Sequence, residues 1–457
     1  MRALLQLFPR SDVTFYLDTS IDAGVLAFTA AVSVLTGLLF GLAPALQARK
    51  TNLVDSLKAG TQAPSGLANI WGQGLITGQV ALSVVALVAA ALFVRTLSNL
   101  RAEDAGFSRD HLLLASLDPS SKGWRGAQIA DFYRRLLERV ETLPEARGAS
   151  LARVRVLAGV GVSDQVAIRG YQPVPQENMN VLLNAVSPGY FATLGIPLKA
   201  GRDFALTDRL DSPGVAIVNE AFVKRFFPNE NPLGRKVSVG NPGDLDIVGV
   251  VRDSKYGGLD HPIDSTVYIS VFQRPDAAWR STLHIRFRGD TSVTTASVQA
   301  LMRSIEPDLP LFAVRTMEAE VDNLLSRERM MALLSALFGA LALLIAAIGI
   351  YGVLTFAILR RTKEIGIRMA LGARPGQMVG QVVMESLRPV ALGLVLGAAA
   401  ALAVGRLSAG LLFGVSERDP AAFTLAAVTL LAAALLAAYL PARRAAKTDP
   451  MIALRQE

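Results

Sequence analysis

MMALLSALFGALALLIAAIGIYGVLTFAILRRTKEIGIRMALGARPGQMVG, residues 330–380, holds the pattern that decides the fold. From residue 330 to residue 359 there is no formal charge, and roughly twenty apolar residues suffice to cross the hydrocarbon core of a bilayer. A basic block follows at once: Arg360, Arg361, Lys363, Arg368 and Arg374, against the single acid Glu364. Within EIGIRMALGARPG, Ile365, Met369 and Leu371, with Ile367 nearby, form an apolar face at helical spacing beside charged positions. Gly372 can end that helix and Pro375 can begin the next. The stretch therefore reads as a spanning helix that turns into a short amphipathic helix at the cytoplasmic surface. A spanning helix alone is an anchor; the short helix directly after it offers a surface to a partner. The plainer alternative is a membrane-surface helix with snorkelling arginines.

Outward from this stretch, the composition is mixed. The chain has 457 residues, of which only 18% are charged, and a mean hydropathy of +0.39. That is too apolar for an ordinary soluble protein, yet the middle third is polar, so membrane helices accompany a water-facing domain. The net charge of +8 comes from Lys and Arg gathered in short loops beside apolar runs, as the positive-inside rule expects. No basic run is interleaved with aromatics, so no nucleic-acid partner is expected. Cysteine is absent, which excludes a disulfide framework and thiolate chemistry. His111, His261 and His284 are scattered. There is no GxxxxGK[ST], GxSxG or HExxH and no metal-ligand cluster, so no catalytic, cofactor-binding or metal residues are expected.

Five apolar runs are long enough to span: residues 23–48, 75–94, 330–359, 378–405 and 420–440. The basic block before Pro375 and the tail carrying Arg443, Arg444 and Lys447 belong on the cytoplasmic side. The loop from 49 to 74, with Arg49, Lys50 and Lys58 against Asp55, fits the same side. The N-terminus and residues 98–329 then lie outside, and the C-terminus inside. Glu385 and Arg388 stand three apart and can pair on one helix face, Pro389 can kink that helix, and Gly393 with Gly397 forms a step that lets helices approach closely.

Residues 98–329 have short apolar runs punctuated by Pro and Gly and are numerous enough to bury their own core. HLLLASL (111–117) and ASLARVRV (149–156) read as strands around a helix whose buried face is Ile129, Phe132, Tyr133, Leu136, Leu137 and Val140. TLHIRFR (282–288) and the run 311–315 read as strands around a helix carrying Val293, Val298, Leu301, Met302 and Ile305. Two β-α-β units thus flank a central insert. In the insert, residues 215–218 read as a buried strand and residues 220–227 as a short helix stopped by Pro228. Asp203, Asp208 and Asp211 fit no metal-ligand spacing and read as solvated turn acids.

The chain also repeats itself. PALQARKTNLVDSLKAG from Pro44 and PARRAAKTDPMIALRQE from Pro441 align without a gap, so that Lys50 meets Lys447, Thr51 meets Thr448, Asn52 meets Asp449 and Leu57 meets Leu454. Upstream, Asp22 meets Asp419, each just before an apolar run. This reads as an internal duplication whose first copy is nearly all missing.

The segment RRTKEIGIRMALGARPGQM resembles the hallmark of the MacB/FtsX-like permeases, the membrane subunits of ABC transporters. The insert phrases NAVSPGYFATLGIPLKAGRDF, VAIVNEAFVKRFFPNENPLGRKV and DIVGVVRD resemble the extracytoplasmic domain of that family, in particular its duplicated orphan permeases. The resemblance implies an α-helical polytopic membrane protein of about five spans, with a large α+β extracytoplasmic domain between the second and third. It divides the chain into the last span and tail of a truncated first permease half (1–60), a cytoplasmic linker (61–74), a span (75–97), a MacB-like periplasmic domain (98–329) and an FtsX-like permease domain with three spans (330–457). It makes Glu364, Ile365, Gly366, Ile367, Arg368, Ala370, Leu371, Gly372 and Ala373 the coupling helix that docks on a cytoplasmic ABC ATPase subunit. It implies a multi-pass protein of the cell inner membrane that drives export or efflux by mechanotransmission. Its further partners would be the lipid bilayer, a second copy or the missing permease half, and a periplasmic or envelope protein. The alternative is a membrane-anchored extracytoplasmic binding or signalling protein without transport activity.

Overall fold

Long uncharged runs must bond their own backbone when they leave water, and among the described residues they are helices. The computed structural model describes residues 22–31, 33–34, 66–159, 161–240, 243–360 and 375–446. The first labelled helix, α1, is Gly66–Ala102. Then follow β1 (Leu112–Leu117), α2 (Ala127–Glu141), β2 (Ala146–Ala152), β3 (Val162–Ile168), β4 (Asn180–Val186), α3 (Tyr190–Leu194), β5 (Leu198–Gly201) and β6 (Val215–Asn219). After these come α4 (Glu220–Phe226), β7 (Lys236–Val239), β8 (Leu245–Val251), β9 (Thr266–Ser270), β10 (Ser281–Phe287), α5 (Thr291–Ile305) and β11 (Phe312–Thr316). The remaining helices are α6 (Met317–Leu324), α7 (Ser326–Arg360), α8 (Pro375–Leu407) and α9 (Pro420–Ala446). Pro375 begins α8, where a missing N–H costs nothing. Residues 93–333 with 410–416 form one compact unit; the other described residues form a second. The division falls inside α1 and inside α7.

The first unit contains an α+β domain. Its edge units, β1-α2-β2 and β10-α5-β11, interleave rather than stand apart. β1 lies antiparallel between β10 and β11, and β10 lies antiparallel between β1 and β2. The order β11-β1-β10-β2 is that of a split β-α-β sheet. Helix α2 buries Ile129, Phe132, Tyr133, Leu136, Leu137 and Val140, the stripe its spacing predicts, and the Tyr133 hydroxyl donates to the Ala278 carbonyl at 2.7 Å. Each such apolar side chain contributes roughly 1.5–3 kcal/mol on burial. The second strand ends earlier than the alternation suggests, at Ala152 rather than at 156. Beyond it, the Asn184 side chain takes the place of a neighbouring strand: its Oδ1 accepts from Val154 N at 2.9 Å and its Nδ2 donates to Val154 O at 2.8 Å.

The insert closes on itself. β4 pairs with β3, β3 with β7, β7 with β8, β8 with β6, β6 with β9, and β9 returns to β4. Closure leaves no unpaired edge within the ring. Strand side chains alternate between two cores. Val181, Leu183, Ala216, Val218, Val267 and Ile269 join the core that includes α2. Leu182, Val186, Val215, Ile217 and Tyr268 join the other, with Tyr190, Phe191 and Tyr256. His284, opposite Leu114 and Ser150 in the sheet, lies fully buried with its ring 5.6 Å from that of Tyr190.

Asp208 corrects the expectation of solvated turn acids. It is buried, accepts from both terminal nitrogens of Arg202 at 2.7 and 3.0 Å, and accepts from Ala205 N at 2.8 Å. Asp211 is an exposed acid 3.8 Å from Arg209. Among the described residues no group of acids and histidines could hold a metal ion.

The second unit is helical. Four helices among the described residues are long and apolar enough to cross a membrane: Gly72–Ala102, Ser326–Thr355, Val383–Leu407 and Pro420–Pro441. Of the expected first span, only residues 23–31, 33 and 34 are described, and they are helical. Large apolar side chains such as Leu82, Phe338, Ile348, Val395 and Leu436 face outward, as they do where the solvent is lipid rather than water. Inside, the Gly393–Gly397 step packs on α1. A Cβ at Gly393 would stand 2.7 Å from the Thr77 carbonyl oxygen, and one at Gly397 would stand 2.7 Å from that of Ala81. Two hydroxyls reach between helices, from Thr77 to the Pro389 carbonyl at 3.2 Å and from Ser83 to the Ala342 carbonyl at 3.0 Å. Near the start of α8, Gln381 Nε2 donates to Glu385 Oε1 at 3.3 Å.

Two outcomes follow from this packing. Gly397→Val should lower the stability of the detergent-solubilised chain by about 1–3 kcal/mol through overpacking, read as a lower melting temperature. Gly352→Val, at a position where a Cβ meets nothing within 4 Å, should have little effect. Separately, burial lowers the His284 pKa from 6.5 to about 3. The unfolded chain therefore takes up a proton below pH 6.5 that the folded chain refuses, so this stability is complete above pH 6.5 and is lost as pH falls toward 3. His284→Leu should flatten the acid side of a melting-temperature profile between pH 6.5 and 4.5.

Candidate functional site

Helix α6 is the root from which the long helix α7 rises. Thr316 caps it, its hydroxyl accepting from Ala319 N at 3.2 Å. Glu318 and Glu320 occupy its first turn, where the positive end of the helix dipole favours acids. Met317, Val321 and Leu325 recur every four residues and are buried in the core beneath. At Leu325 the two helices are separated by one residue, but the hydrogen bonds run through. Leu325 N donates to Val321 O at 3.0 Å, and Leu325 O accepts from Arg329 N at 2.8 Å.

The electrostatic centre of this root is Glu320, whose side chain is only 5% exposed. One carboxylate oxygen takes the Arg155 guanidinium, and the other faces Arg315 at 3.1 Å. Arg315 comes from β11, one residue before the cap; Arg155 follows β2 and Val154, which Asn184 holds in place. Two lesser contacts add to the grip. His111 N donates to Glu318 at 3.1 Å, and Arg101, at the end of α1, stands 3.4 Å from Asp322. The last pair is exposed on both sides and contributes little. Breaking a buried pair is costly because it strands a charge away from water. The arrangement holds no nucleophile and no proton donor poised over a cleft. What it does physically is fix one end of a helix.

The residues expected to dock on a partner, Glu364, Ile365, Gly366, Ile367, Arg368, Ala370, Leu371, Gly372 and Ala373, lie outside the described residues, between the end of α7 at Arg360 and the start of α8 at Pro375. The Glu320 cluster escaped the sequence reading. Its local signal is a glutamate beside the apolar stripe Met317, Val321 and Leu325, just after an arginine-bearing strand. Its main partner, Arg155, is 165 residues away in the chain.

A profile described as the MacB-like periplasmic core domain matches residues 75–305, and one described as the FtsX-like permease C-terminal matches residues 336–450. The macrolide export ATP-binding/permease protein MacB of Mannheimia succiniciproducens is 25% identical over 339 residues, which cover 71% of this chain and 51% of that protein. The protein of the same description from Aggregatibacter actinomycetemcomitans is 31% identical over 288 residues, covering 60% and 43%. The chain thus spans about half the length of the curated relatives it matches. The crystal structure of the periplasmic region of MacB from Actinobacillus actinomycetemcomitans aligns with 50% of this chain and 95% of that one, at 18% identity and a TM-score of 0.34.

Glu320→Ala should destabilise the α+β domain by about 3 kcal/mol, since it leaves two guanidiniums around an empty buried position. Glu320→Gln, which keeps the volume and an acceptor, should cost less. Urea unfolding of both variants beside the parent measures the difference.

Proposed function

The chain belongs to the MacB/FtsX-like family of ABC transporter permeases, and we propose that it is a membrane subunit through which a separate cytoplasmic ATPase moves the α+β domain. The observation that carries this reading is the unbroken course of α7 from Ser326 to Arg360, which begins one residue after a root clamped by Glu320. Every residue of a helix is bonded to the next turn, so the helix transmits displacement along its axis. Immediately after it come Glu364, Ile365, Gly366, Ile367, Arg368, Ala370, Leu371, Gly372 and Ala373, the proposed docking segment for the ATPase. ATP-driven closure of that partner pushes on the segment, α7 carries the push, and the Glu320 root delivers it to the domain.

This chain contains no GxxxxGK[ST], so hydrolysis is assigned to the partner. Charge supports the proposed orientation, in which the basic residues after Arg360 and after Pro441 face the cytoplasm and the α+β domain lies on the other side; the membrane we propose is the cell inner membrane. Family relatives carry the words macrolide export in their descriptions; for this chain we propose export or efflux, with the substrate class left to the domain. A second copy of the chain, or another permease half, completes the assembly, and a periplasmic or envelope protein receives the motion.

The test is co-purification of the full chain with a nucleotide-binding subunit bearing a Walker A motif. The parent should retain that subunit and stimulate its ATPase activity. Glu364→Lys, which reverses the only acid in the basic block, should reduce both by tenfold or more. Absence of any nucleotide-binding partner, together with an inert Glu364→Lys, would instead support a membrane-anchored binding or signalling protein.

A further inference from the structure

At the ends of β1 and β10, beside the Glu320 root, lies a cavity of about 320 Å³. Its lining includes Arg153, Arg155, Arg280, Trp279, Ser116 and Thr282. The charges do not balance. Both oxygens of Glu320 are engaged by Arg155 and Arg315. Arg153 is half-buried and Arg280 is exposed, and neither makes an ion pair with an acid among the described residues. Burial lowers the Arg153 pKa, with no neighbouring carboxylate to offset it. A half-buried guanidinium that faces no carboxylate keeps hydrogen-bond donors open to an anion from solution.

The rest of the lining suits the same occupant. Ser116 Oγ and Thr282 Oγ1 share a hydrogen bond at 3.4 Å, which leaves one of the two hydroxyls to donate to an oxyanion. Arg280 is held in place with its guanidinium 4.9 Å from the centre of the Phe312 ring. Trp279 is 42% exposed, a large apolar surface beside the unpaired charges. Guanidiniums match carboxylate and phosphate through paired hydrogen bonds, and an indole accepts a flat apolar body. The volume is at the small end for ligand sites, which run from about 300 Å³ upward.

We propose that this cavity binds an oxyanion, a carboxylate or a phosphate monoester, carried on a small aromatic or apolar body. Because Arg155 lines the cavity and also holds Glu320, the ligand and the root of α7 compete for one guanidinium. Occupancy therefore loosens the root. This assignment is independent of whether an ATPase drives the chain.

Isothermal titration of the full chain in detergent tests it, with phenyl phosphate and benzoate as probes and inorganic phosphate and benzylammonium as controls. Both probes should bind saturably and more weakly as salt is raised, inorganic phosphate should bind several-fold more weakly than phenyl phosphate, and benzylammonium should not bind. Arg153→Gln combined with Arg280→Gln should weaken the probes by about tenfold or more, the size of one lost charge-assisted hydrogen bond. Glu320→Gln, which leaves Arg155 a neutral acceptor in place of a charged one and so weakens its hold, should tighten them severalfold. No saturable binding of either probe, or equal binding by the double variant and the parent, would overturn the site. Inorganic phosphate binding as tightly as phenyl phosphate would overturn the apolar subsite, and an unchanged affinity in Glu320→Gln would overturn the sharing of Arg155.

Discussion

A single carboxylate, Glu320, is drawn almost wholly out of water and held between Arg155 and Arg315. Much else is arranged to keep it there. Asn184 stands in for a strand so that the chain after β2 turns with Arg155 toward the helix root. The β11 strand delivers Arg315 and then, one residue later, the Thr316 cap that starts α6. The apolar stripe Met317, Val321 and Leu325 sets the face of α6 that is buried, and so the direction in which Glu320 points. A buried ion cluster of this kind adds little net stability over an apolar one, but it tolerates few alternative arrangements. It specifies where a helix begins.

The long helices answer a different constraint. In hydrocarbon, association draws nothing from water exclusion between helices, so it depends on close backbone approach and on the few available hydrogen bonds. Gly393 and Gly397 provide the first against α1, at distances that leave no room for a Cβ. Thr77 and Ser83 provide the second, each bonding back to its own helix and across to a neighbour. The membership of this chain among MacB/FtsX-like permeases gives these features a context: long helices joined to an α+β domain of periplasmic type.

Several elements were legible from residues alone. The spacing of Ile129, Phe132, Tyr133, Leu136, Leu137 and Val140 specifies one helix face, and that face is buried. The uncharged run after Met330 specifies a long helix, and Pro375 specifies where the next one starts. Other elements resisted. The alternation after Ala149 continues past Ala152, but pairing passes from a strand to an asparagine side chain, which alternation does not register. Asp208 looks like any loop acid until Arg202 is seen to grip it with two nitrogens. The segment around Glu364, proposed to dock a partner, was read from its motif, whereas the Glu320 cluster has no motif to read.

What the sequence by itself determined is everything that depends on neighbours a few residues apart: spans, helix faces, caps, strand runs and the family. What only the tertiary structure decided is which distant pieces meet. The interleaving of β1 and β10, the closure of β9 onto β4, and the convergence of Arg155, Arg315 and Glu320 all join residues from separate parts of the chain. Local periodicity reports on burial, which is a property of one segment. Pairing and charge compensation are properties of two, and they exist only once the chain has folded.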